Sequence, residues 1–387
     1  MMKKYVSTLM LIASVCTANL FCACSDDNST EISEEGIDVT QQAIIANYIN
    51  KVVVPTYKSL ADAAILLAED CQDLSSQAKV NKACEDWISA RKYWELSEAF
   101  LFGAASDYKI DPHIDSWPLD LTQLDVVLKA GDIESRIDAG TAGYGLLGFH
   151  AVEYVIFQEG STGTVGNRYR DYNSITNEEK DFAKSVSEDM RNQCIRLEAA
   201  WSGIENIGST KKNILESEEL EPSLNYGELL VNAGMPGNAK YKTQAAAFEE
   251  IIVGASDIAN EVGNTKIADP MASHQWSDVE SPHSWNSVVD FADNIRSVRN
   301  AYYGTLDGTN AALSVSSFIS KLDKNTDEKV KQCIETAILK LEAMPKPFRN
   351  YIYADTDAAS KALIQAAVDA CNDLVDALDE AQELITK

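Results

Sequence analysis

His150 and Glu153 stand three residues apart in the run G-Y-G-L-L-G-F-H-A-V-E-Y-V-I-F from Gly143 to Phe157, and no other side chain there ionises near neutral pH. Leu146, His150, Glu153 and Phe157 step by four, three and four, the spacing that puts an imidazole and a carboxylate on one face of a helix. A helix apolar on every side belongs in a protein interior, so the pair occupies positions where core residues would sit. Burying a carboxylate without partners costs on the order of 3 kcal/mol or more, and something must compensate. Three arrangements do so. A divalent or ferric metal ion can bind the His150 nitrogen and the Glu153 oxygen, as at the i, i+3 pairs of helical-bundle metal sites. An arginine such as Arg91 can reach Glu153 from a neighbouring helix. Or the two side chains hydrogen-bond each other along a wet seam. Gly148 precedes the pair; glycine costs about 1 kcal/mol inside a helix, which points to close approach of another backbone or a ligand.

The elements that must position this pair are helical. A stripe through Ile45, Ile49, Val53, Tyr57, Leu60, Ala64, Leu67 and Cys71 marks the first helix, with Pro55 predicting a kink or break. A second helix, from about Val80 to Phe102, carries Trp87, Arg91, Trp94, Glu98 and Leu101 on one side and ends at Gly103, before a loop over 104–120. Thr176-x-x-Glu179 reads as a capping box ahead of a stripe from Phe182 to Trp201. Residues 202–227 dilute the pattern, and helical segments return near 242–262, 284–303, 311–322, 326–344 and 356–385. Strand-type alternation is hard to find. The expected fold class is all-α, two antiparallel helical bundles packed side by side, over 40–205 and 206–387.

Lys3 and Lys4 precede a short apolar stretch that closes on Phe21-Cys22-Ala23-Cys24, the layout of a lipoprotein signal peptide over residues 1–23 with lipidation of Cys24. Residues 24–39 then read as a polar tether, and the acidic Asp26 and Asp27 resemble a surface-export tag. The expected location is the cell envelope of a Gram-negative-type bacterium, attached to the outer membrane by the lipid alone. Cys71, Cys84, Cys194, Cys333 and Cys371 follow no zinc spacing. The pairs Cys71–Cys84 and Cys333–Cys371 could bridge adjacent helices, although free thiols in helical stripes also pack as small hydrophobes. A formal charge of −27, from 33 Lys plus Arg against 60 Asp plus Glu in 387 residues, argues against nucleic acid and permits cations.

Other groupings are weaker. Asp111, His113 and Asp115 alternate in the 104–120 loop and could hold a cation, but Asp-Pro turns account for them. His274 and His283 flank Trp276 and Glu280 in a connection. Gly160, Gly163 and Gly166 read as a linker before Arg168 and Arg170. No serine nucleophile elbow and no Cys-His signature occurs.

At Gly148-x-His150-x-x-Glu153 the chain resembles the imelysin family, whose signature is G-x-H-x-x-E. Trp87, Arg91, the run from Glu98 to Gly103, and Trp117-Pro118 are similar to that family too, as are Asn294, Arg296 and the run from Ala301 to Gly304 further on. The resemblance implies two helical bundles with His150 and Glu153 near their interface. It also implies kinship with metallopeptidases and with lipoproteins linked to iron uptake. The H-E-x-x-H arrangement of zinc peptidases is absent. The motif supplies two ligands at most, and Glu98 is the first candidate for a third ligand or a base. Its other role would be an ion pair with Arg91 or a rim position. Three functions follow as expectations: a binder of a metal ion or small ligand in metal acquisition, a metallopeptidase, or a surface interaction protein in which the motif only fixes packing.

Overall fold

Pro55 has no N–H to give to the Lys51 carbonyl, and the backbone accommodates this by widening just ahead of it. In the computed structural model, which describes residues 34–157 and 168–386, α1 (Glu34–Tyr48) runs into a π-helical turn over Ile49–Val53. From there α2 (Val54–Cys71) proceeds with Pro55 in its first turn. The expected break is therefore a change of helical pitch. α1 begins inside the stretch read as tether, at Glu34-Glu35, the residue type a helix N-terminus favours. The leader, Cys24 and the tether up to residue 33 lie outside the described residues, as do Gly160, Gly163 and Gly166.

α3 spans Gln77–Glu95, shorter than the helix expected to reach Phe102. Ser97 turns its hydroxyl back onto the Trp94 carbonyl at 2.7 Å, offering the backbone a local alternative to helix, and Glu98–Phe100 continues as a 3-10 turn. Gly103, at φ 69°, then starts the connection. That connection is not bare loop: it holds two single-turn helices, Ala104–Asp107 and Asp111–Ile114. The apolar run contains α4 (Gly148–Ile156), and α5 (Asn177–Ser202) opens with the Thr176–Glu179 capping box and closes at Gly203. Past the diluted segment come α6 (Gln244–Glu261), α7 (Ser287–Tyr303), α8 (Lys324–Glu342) and α9 (Ala358–Thr386).

Helices α2, α3, α4 and α5 pack into one bundle, and α6 to α9 into a second. They join where α3 lies on α7 and where the Glu98–Phe100 turn lies on α6. α1 packs against α6 of the second bundle rather than staying with the first, and one apolar core runs through both. No strand occurs among the described residues; one bridge, Phe157 to Tyr169, draws together the ends of segment 158–167. The five cysteines are free thiols, four of them buried and Cys333 partly exposed, so they pack as small hydrophobes. Among the described residues no helix is long and apolar enough to cross a membrane.

Candidate metal centre

The stripe of α3 supplies the centre of the site. Arg91, fully buried, meets four carboxylates: Glu95 Oε1 at 2.5 Å, Glu280 Oε1 at 2.7 Å, Asp290 Oδ2 at 3.6 Å, and Asp115. Glu95 is the next turn of the same helix. Asp115 follows the Asp111–Ile114 turn, Glu280 lies in the connection after the second-bundle segment Ala268–Ser273, and Asp290 is on α7. A planar guanidinium with five donors is the side chain suited to a buried position of this kind. Trp87, one turn earlier, donates its indole N–H to the Phe149 carbonyl at 2.9 Å and so ties α3 to the start of α4.

Gly148 has φ +77°, and a Cβ built on it would fall on the carbonyl of Ile114. The glycine thus lets the Asp111–Ile114 turn press against the beginning of α4, which sets Asp115 beside His150 two residues further on. His150 Nε2 lies 3.0 Å from Asp115 Oδ1 but off the line that a hydrogen bond needs, so the contact is ionic. The other ring nitrogen, Nδ1, meets Glu153 Oε2 at 3.2 Å. The remaining oxygen, Glu153 Oε1, accepts the backbone N–H groups of His283 at 3.0 Å and Ser284 at 2.6 Å. The motif carboxylate therefore spans from the first bundle to the 275–286 connection, and both of its oxygens are engaged. Arg91 reaches Asp115 instead of Glu153, so the second of the compensations open to the sequence does not arise. Trp117 lies edge-on to the imidazole, ring centres 4.7 Å apart, and Trp94 donates to Asp115 Oδ2 at 2.7 Å.

Asp115 and Glu280 form part of the wall of a cleft of about 770 Å³ shared by both bundles, with Glu98, Asp111, Glu261 and Lys266 also facing it. Glu98 pairs with Lys266 at 3.8 Å and not with Arg91. Two sets of donor atoms converge to within 4.8 Å of one another: Asp115 with His150 and Glu280, and Asp115 with Glu95 and Glu98. Glu280 Oε2 is buried and has no hydrogen-bond partner. The charges are unbalanced. Six carboxylates (Glu95, Glu98, Asp115, Glu153, Glu280, Asp290) face Arg91, Lys266 and His150. Burial raises the Glu95 and Glu98 carboxyls well above the usual range despite the nearby Arg91 and Lys266. Burial also pushes Asp290 up to about 7. Burial works against charge on His150 too, but Asp115 and Glu153 on its two sides outweigh it and raise the imidazole to about 9. Asp115 itself is held low, because Arg91 and His150 overcome its burial. Nitrogen and oxygen donors in this mixture suit a first-row divalent or ferric ion.

The imelysin family model matches residues 53–378, most of the chain. The chain belongs to the imelysin family. It is 26% identical over 362 residues to iron-regulated protein A of Synechococcus elongatus, a match covering 93% of this chain and 89% of that one. The crystal structure of a provisional iron-regulated protein A precursor from Parabacteroides distasonis superimposes with a TM-score of 0.77 at 26% identity, covering 90% of this chain and 95% of that one. An imelysin-like protein from Psychrobacter arcticum shares the fold, with a TM-score of 0.59 at 11% identity over 88% of this chain and 93% of that one.

In this imelysin the candidates read from sequence divide. His150, Glu153, Gly148, Arg91 and Trp87 form one packed assembly, whereas Glu98 converges with Glu95 and Asp115 rather than with His150. The Asp111-His113-Asp115 loop splits: Asp115 turns inward, and His113 turns outward to Asp189 at 3.0 Å. His283 joins the site through its backbone, while His274 bonds the Ile352 carbonyl elsewhere. Glu95, Asp290 and Lys266 carry no candidate role in the sequence, and Glu280 enters there only in the grouping with His274, Trp276 and His283. Glu95 had a local signal, one turn after Arg91 on its stripe; the others are brought in by the second bundle alone.

Proposed function

We propose that this imelysin is a lipid-anchored, extracytoplasmic protein that binds a metal ion where its bundles meet and serves metal acquisition. The observation that carries this reading is the attitude of His150. Glu153 holds Nδ1, as carboxylates commonly hold ligand histidines, and leaves Nε2 facing Asp115 and Glu280, whose free oxygen is buried without a partner. Asp115, His150 and Glu280 would hold the ion. Glu153 would act through His150, fixing the ring by accepting a hydrogen bond from its Nδ1–H. Gly148 and Trp87 would keep α4 in register with Asp115, and Arg91 would offset the surplus negative charge. The bound ion supplies concentrated positive charge to a region otherwise over-supplied with carboxylates. The names of two relatives make iron the first cation to try, and Cys24 would carry the lipid.

Metal analysis of protein purified without chelator, followed by calorimetric titration with iron(II), manganese(II) and zinc(II), tests the reading. One ion per chain is expected in the wild type, lost in His150→Ala and weakened in Asp115→Asn. A wild type that never holds metal overturns it. Peptide turnover that depends on the same ion would extend the binder into a metallopeptidase.

A further inference from the structure

A second pocket, of about 560 Å³, opens where α2, α3 and α7 meet, and it shares no wall residue with the acidic cleft. Its charge is the reverse. Lys92 from α3 and Arg296 and Arg299 from α7 face it, against Asp293 alone. Acids outnumber bases by 60 to 33 in this chain, so a basic side chain has a surplus of partners to choose from. Arg296 takes two of them, Asp293 at 2.5 Å and Glu342. Lys92 feels Asp293 only at longer range. Arg299 makes no ion pair and no hydrogen bond with any described residue, and its Nε is buried without a partner. Packing holds the guanidinium instead: Cζ, Nε and Nη1 lie 3.4, 3.6 and 3.6 Å from where a Cβ would stand on Gly308, in the turn after α7. Asn300, the next residue, lines the same pocket while only 2% exposed. Its amide makes no hydrogen bond with any described residue, and Oδ1 is buried.

A guanidinium and a buried amide left unpartnered side by side are costly unless something outside the chain meets them. The guanidinium fork matches carboxylate and phosphate oxygens, which it takes two at a time. The other walls set the size of the ligand. Tyr93, Leu96, Val289 and Leu306 supply carbon surface, and the volume falls within the range of about 300–1,000 Å³ of small-molecule sites, far more than one inorganic anion fills. We propose that this pocket binds a small organic oxyanion, a carboxylate or a phosphate ester, with Arg299 gripping the anionic group, Lys92 adding charge and the Asn300 amide meeting a polar edge of the ligand. The site stands apart from the proposed metal centre, since none of these residues belongs to the cluster around Arg91.

Calorimetric titration of the full chain at low salt with tricarballylate, glucose 6-phosphate and inorganic phosphate tests the proposal. One organic anion is expected to bind once per chain and at least about tenfold more tightly than inorganic phosphate; which of the two binds tells a carboxylate from a phosphate ester. Arg299→Met should weaken that binding about 10–100-fold and Lys92→Gln about 2–5-fold. His150→Ala should leave it unchanged. Arg136→Met, which removes an exposed cation paired with Asp132 outside the pocket, should leave it unchanged too. The proposal is overturned if the wild type takes up neither organic anion at millimolar concentration, or if Arg299→Met binds as the wild type does. Inorganic phosphate binding as tightly as either organic anion means an adventitious ion only, and an equal loss in Arg136→Met means general charge; each also overturns it. Should Arg299→Met fail to fold, Lys92→Gln carries the test from an exposed position, and undiminished binding there counts against the site.

Discussion

Two of the places where the second half of the chain buries carboxylates differ in how the charge is met. Asp327, at the start of α8, accepts from Ser316 Oγ at 2.6 Å and Tyr302 Oη at 3.1 Å and pairs with Lys331 at 2.7 Å. One acid there has one base and two hydroxyls, and the group is closed. At the bundle junction, Glu280 and Asp290 enter a cluster in which six carboxylates share three cations and two buried oxygens, Glu95 Oε1 and Glu280 Oε2, have no hydrogen-bond partner. Burial of an acid therefore does not mark a site by itself. What distinguishes the junction is a surplus of carboxyl groups gathered around one buried guanidinium.

The largest expected break in that contrast is Arg91→Met. Removing the central cation leaves Glu95, Asp115, Glu280 and Asp290 facing one another, a loss of about 3–5 kcal/mol, to be read in urea unfolding. Next, Asp327→Asn should cost about 1–3 kcal/mol by the same measurement while leaving metal titration unchanged, because its partners are hydroxyls and Lys331 and none faces the cleft. Equal effects of Asp327→Asn and Asp115→Asn on metal binding would erase the distinction. Glu153→Gln should do the reverse of Asp327→Asn: melting close to wild type, and metal affinity about 10–100-fold lower, since the amide no longer fixes the imidazole. The smallest effect concerns a third acidic pair. Burial and the neighbouring Asp86 push Asp70 up to about 6, so the folded state favours its protonated form. Stability from this group is present at low pH and is lost as pH rises from about 4 through about 6. Asp70→Asn should flatten that part of the pH–stability curve, and an unchanged curve would remove Asp70 from the account.

The helical fold was legible because burial periodicity is written locally. The stripes at Ile45–Cys71 and Phe182–Trp201, and the capping box at Thr176–Glu179, each depend on residues a turn or two apart. The structure departs from the stripe where local chemistry competed with it: Ser97 ended α3 before the apolar pattern did. At Pro55 the expected irregularity takes the form of a π turn. His150, Glu153 and Gly148 were legible for the same local reason. An ionisable pair three residues apart in an apolar run, behind a glycine, requires no knowledge of distant chain.

What the sequence by itself determined is the class of fold, the place of the motif in the interior, and the shared helix face of its two side chains. Only the tertiary structure decided which nitrogen of His150 faces the cluster and that Glu153 is engaged by the backbone at residues 283 and 284. It alone decided that Asp115, Glu280, Asp290 and Lys266 meet around Arg91. Those groups come from turns, connections and helix α7, separated by up to 199 residues from Arg91. Their approach is fixed by helix packing and by the absent Cβ at Gly148, neither of which leaves a periodic trace along the chain.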